Sequence, residues 1–67
     1  MIDLSNYQDI EGTIRITCVD GDVFEGQINY IDDPEESGIG EWGASFTTVD
    51  GRFLEIGESE ISSIEVL

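Results

Sequence analysis

The chain has 67 residues, and its sixteen aspartates and glutamates face only two arginines, for a formal net charge of -14. A chain this short supports one core, so residues 1–67 form a single domain, which hides only about 60% of the surface its unfolded form exposes. One cysteine and no histidine exclude an internal disulfide and a cysteine–histidine zinc site, and the charge repels phosphate and anionic membranes, which leaves self-association as the expected support.

Residues 1–10 lack the basic start and apolar run of a secretory leader, and no segment approaches the roughly 20 apolar residues of a membrane helix, so the expected location is the cytoplasm. No internal repeat, low-complexity tract or linker interrupts the chain. In "LSNYQDI" the spacing of Leu4, Tyr7 and Ile10 predicts one or two helical turns, with Ser5 or Asn6 as cap and Gly12 ending the segment. "TIRITCV" alternates, with Ile14, Ile16 and Cys18 on one face and Arg15 and Thr17 on the other, the pattern of a half-buried strand. Asp20-Gly21 then signals a hairpin, because glycine supplies the positive φ that the turn needs.

The second strand is expected from Val23 to Asp32, with Phe24, Gly26, Ile28 and Tyr30 sharing a face. A glycine inside a long strand marks a bend, a bulge or the close approach of another backbone. The reading preferred here is a bend that lets one strand serve two sides of a closed barrel. Ile31 directly follows Tyr30, so the inward register changes near the strand end. "DPEESGIGEWG" reads as an exposed acidic loop. "ASFTTV", a second Asp-Gly hairpin at Asp50-Gly51, and "RFLEI" supply strands three and four. "GESE" is a brief turn, and "ISSIEVL" is a fifth strand with Ile61, Ile64 and Val66 as core candidates. The expected fold is all-β: a small, five-stranded, strongly bent antiparallel barrel with a short N-terminal helix.

The run Ile14, Ile16, Val19, Gly21, Phe24, Gly26, Ile28, Ile31, Asp32 resembles the first signature of the Sm and Sm-like family. The spacing from Gly21 to Asp32 fits without a gap. "LEIGESEISSIEV" resembles the second signature, with Gly57 as its turn glycine and one residue more than usual before Ile61. The likeness covers nearly the whole chain and is strongest to small acidic bacterial members whose closing strand also reads "SEI-x-SIE". An SH3-like or related small barrel is the alternative.

In RNA-binding members, the resemblance implies a base pocket lined by an asparagine a few residues after the aspartate and by a cation beside the later glycine. Counted from Asp32, the first position falls on or near Glu36; the residue before Gly57 is Ile56. Both polar recognition groups are therefore missing, and two arginines cannot form the positive groove that single strands need. What the resemblance does carry over is assembly, in which strand four of one copy pairs with strand five of the next. Trp42, Phe53 and Ile61 are candidate contacts for a partner.

The acids of loop 32–36 could hold a divalent cation weakly, but the alternating calcium-loop pattern is absent and a solvated loop is the favoured reading. For catalysis there is no histidine base, and Cys18 has no basic neighbour in sequence. The sequence thus points to a non-catalytic, cofactor-free, self-associating module for a basic protein partner. Two alternatives remain open: a divergent RNA-binding Sm-like protein, and an acidic mimic of nucleic acid.

Overall fold

The structure, a computed structural model, describes residues 2–67. Alternation decides the strands: β1 (Ile14–Cys18) buries Ile14, Ile16 and Cys18 and leaves Arg15 and Thr17 on the other face. β2 spans Val23–Asp32, β3 Gly43–Thr48, β4 Phe53–Gly57 and β5 Ile61–Val66. They form one antiparallel sheet in the order β4-β3-β2-β1-β5. A single 3-10 turn, Leu4–Tyr7, precedes β1, and another, Glu58–Glu60, joins β4 to β5.

The core is made by the inner face of this sheet. Ile14, Ile16, Ala44 and Phe46 are fully enclosed, as is Leu4 of the N-terminal turn. A flat sheet with only one helical turn laid against it could not bury its face so completely, because each layer needs another to cover it. The sheet therefore curls around its own side chains, in keeping with extents of 28 × 22 × 21 Å. The expected barrel does not close, however. β4 pairs only with β3 and β5 only with β1, because the Glu58–Glu60 turn hands the chain across to β1 instead of reversing it into a hairpin on β4. Val19 N–H donates to Glu60 O at 2.9 Å, which ties the end of that turn to the β1 side.

Gly26 answers to close approach of a neighbouring backbone. It pairs with Ile14 on one side and Thr48 on the other. A Cβ there would collide with Thr47 O and lie 2.8 Å from Thr48 Cα and 2.9 Å from Thr47 C, all main-chain atoms. The register change expected near Ile31 is real and has a defined origin. Ile28 pairs with Phe46 and Tyr30 with the adjacent Ser45, so Asn29 is an extra residue in β2, a β-bulge. The bulge turns Ile31 inward against the core and Tyr30 outward, where it is 60% exposed. The expectation that Tyr30 shares the face of Phe24 and Ile28 is corrected by this slip.

Both Val-Asp-Gly segments, 19–21 and 49–51, form the same hairpin loop. Gly21 N–H donates to Cys18 O (3.0 Å) and Gly51 N–H to Thr48 O (2.9 Å), while Cys18 and Thr48 N–H reach across to Asp22 O and Arg52 O. Gly21 and Gly51 take φ of 97° and 91°, and among the described residues no non-glycine has positive φ. This is a three-residue loop with a left-handed glycine closing it. One cap and one loop also differ from expectation. Asp3, not Ser5 or Asn6, caps the N-terminal turn, its carboxylate accepting from Ser5 N–H (3.1 Å) and Ser5 Oγ–H (2.6 Å). Within the expected loop, Pro34–Ser37 forms one helical turn, α1, with Asp33 as cap, Pro34 first and Glu35 and Glu36 following. Each of these suits a helix start, since the cap and the acids meet unpaired N–H groups and proline has none to lose.

Candidate functional site

The positions that the resemblance assigns to base recognition lie around one end of the sheet. Asp32 pairs with Gly43, and Gly43 with Gly57, so three strands end side by side. The loop carrying α1 and the Glu58–Glu60 turn meet there. Glu58 N–H donates to Trp42 O (2.8 Å), and the Glu41 carboxylate accepts from Ser59 N–H (2.6 Å) and Ser59 Oγ–H (3.0 Å). Glu36 is exposed on α1, whereas Ile56 is buried in the core. Beside Gly57, the space that a side chain would enter is taken by the Glu41 carboxylate.

Neither arginine enters this end. Arg15 pairs with Glu25 at 2.9 Å and with Glu65 at 3.9 Å on the outer face of β1, and Arg52 pairs with Asp50 at 3.3 Å in the second hairpin. The Glu55 carboxyl, beside Gly43, is raised above its ordinary value by partial desolvation and by the charge of Asp32. Such a surface repels phosphate rather than collecting it. Within the acidic loop, Asp33 is committed to the backbone N–H groups of Glu35 and Glu36 (3.1 and 2.8 Å). Among the described residues no group of three or more acids and cysteines converges as a metal site would require.

A second feature is the open seam of the sheet. Between β4 and the β1–β2 hairpin runs a cleft of about 390 Å³, floored by Cys18, Phe24, Leu54 and Ile56. Asp20, Asp22 and Glu60 line its rim. Burial, then the charges of Asp20, Asp22 and Glu60, push the Cys18 thiol up. A thiol so placed stays protonated near neutrality and is a poor nucleophile.

The sheet edges complete the surface. Thr48 N–H donates to Arg52 O, and the antiparallel alternation continues from that pair. It turns the N–H and C=O of Phe53 and Glu55 away from β3, toward the open side of β4. Leu67 N–H donates to Thr13 O, and the same alternation leaves the backbone groups of Ile64 and Val66 on the open side of β5. Of the candidate contacts, Phe53 is 78% exposed on the β4 edge, Trp42 is half-buried against the core, and Ile61, at 2% exposure, belongs to the core and offers a partner nothing. Glu41 had no signal in the sequence, because its partner Ser59 lies eighteen positions away. No family model, no curated protein and no solved structure matches this chain.

Proposed function

We propose that the chain is a non-catalytic, Sm-like module of the cytoplasm that self-associates, β4 of one copy against β5 of the next, and serves as an acidic protein-interaction or scaffold unit. One observation carries this reading. β4 and β5 are the two outer strands, each with backbone donors and acceptors that, among the described residues, find no partner on its open side. Those are the strands that the Sm resemblance assigns to pairing between copies. An open edge of this kind is paired or protected in stable proteins, and a small core, with eight apolar side chains buried among the described residues, gains from the added contact. RNA binding has less support, since the asparagine position falls on the acid Glu36, the cation position falls on the buried Ile56, and both arginines are held elsewhere.

The test is a pair of edge-blocking variants. Glu55→Pro removes an N–H that points out from β4, and Val66→Pro one that points out from β5, and neither N–H belongs to a ladder within the chain. In sedimentation, the parent should assemble at micromolar concentration and moderate salt. Each variant alone should be a monomer, and an equimolar mixture should yield a one-to-one dimer through the edges left intact. A parent that stays monomeric overturns the reading, as does a mixture that never pairs.

A further inference from the structure

The cleft at the seam combines three features. Its floor is apolar, with Phe24 and Leu54 half-buried and open to a visitor. Its rim holds three carboxylates, those of Asp20, Asp22 and Glu60, whose charges reach far enough inward to act on the Cys18 thiol. Its long side is β4 itself, and Glu55 there directs N–H and C=O away from β3. The Phe24 ring already accepts one cation, the Arg52 guanidinium at 5.9 Å from its centroid, which Asp50 holds in place.

We propose that this cleft docks an extended basic segment of a partner protein, which lays alternate apolar side chains on Phe24 and Leu54 and sets lysine or arginine against Asp20, Asp22 and Glu60. Strand addition at an open edge uses this division of labour: main-chain hydrogen bonds hold the segment, and every second side chain reads the pocket. Charge selects the occupant. A second copy, which the proposed assembly seats on the same β4 edge, brings another -14 and a β5 strand carrying Glu65 toward a rim that is already acidic, whereas a basic segment neutralises that rim and so displaces the copy. The inference rests on the reading of the chain as a protein-interaction module and names the chemistry of its partner.

The probe is a blocked heptapeptide of alternating lysine and apolar residues, Lys-Leu-Lys-Phe-Lys-Leu-Lys, titrated into the nitrogen-15-labelled full chain. Amide shifts should concentrate at residues 18–24 and 54–60. Replacing the apolar residues by serine keeps the charge and should weaken binding by about tenfold or more, the effect of losing one to two buried side chains. The double variant Asp22→Asn, Glu60→Gln should weaken binding several-fold at low salt; Glu35→Gln, Glu36→Gln, with the same change of charge, should not. Equal binding of the serine peptide, shifts centred on loop 32–36, or equal loss from both double variants would reduce the effect to unspecific charge attraction and overturn the proposal. Binding that appears only after Val66→Pro would identify a second copy as the occupant and overturn it too. A chain that assembles but ignores the peptide loses this inference alone, and a monomeric chain that binds the peptide loses the assembly alone.

Discussion

At the scale of single residues, two positions make the physics explicit. Gly26 has no room for a methyl group, and the atoms in the way belong to the backbone of β3, which cannot rotate aside. Gly26→Ala should therefore force β2 and β3 apart and cost about 3 kcal/mol, at the upper end for overpacking. Urea unfolding would measure this as a lower midpoint with an unchanged slope. Glu55 gives a pH dependence. Partial desolvation and Asp32 raise its carboxyl, so the folded chain holds that proton more tightly than the unfolded chain does. Its favourable contribution is complete below the ordinary carboxylate range and is lost as pH rises through the raised value. Glu55→Gln should thus be more stable than the parent at neutral pH, with the advantage fading as pH falls toward about 4. Asp50 runs the other way: bonds from Thr48 and Arg52 lower its carboxyl, so its contribution is present above the ordinary carboxylate range and disappears in acid.

At the scale of elements, the two hairpins are one device used twice. Each carries Val-Asp-Gly, with the glycine in the left-handed region and its N–H bonded three residues back. Gly51→Ala would place a β-carbon where L-residues are strained by about 1–2 kcal/mol, and a thermal unfolding scan should record a lower midpoint of that origin. α1 is also a matter of local chemistry. Asp33, Pro34, Glu35 and Glu36 stand in the order a helix start prefers, so the local chemistry of "DPEES" turns part of the loop into one helical turn. The β2 bulge is different in kind. Asn29 side-chain Nδ2–H donates to Thr47 Oγ1 at 2.8 Å on the neighbouring strand, so the kink is stabilised by a residue distant in sequence.

At the scale of the whole molecule, charge and open edges oppose each other. Each copy carries -14, and bringing copies together costs repulsion that salt relieves. Raising ionic strength from about 0.01 to 0.15 M shortens the screening length from roughly 30 to 8 Å, so weight-average mass in sedimentation should rise over that range. Binding of the basic heptapeptide should fall over the same range. The two responses have opposite signs because one joins like charges and the other unlike.

The alternation of Ile14, Ile16 and Cys18, the paired Asp-Gly turns and the register slip before Ile31 were all legible in the sequence, because strand period and turn chemistry are local properties. The acidity was legible too, since composition alone sets it. Tertiary structure decided the rest. The barrel stays open because the Glu58–Glu60 turn delivers β5 to β1, and no residue in that turn announces which strand it will meet. Gly26 is small on account of Thr47 and Thr48, and Glu41 is fixed by Ser59. Such contacts join residues far apart in the chain, and only the folded sheet brings them within reach.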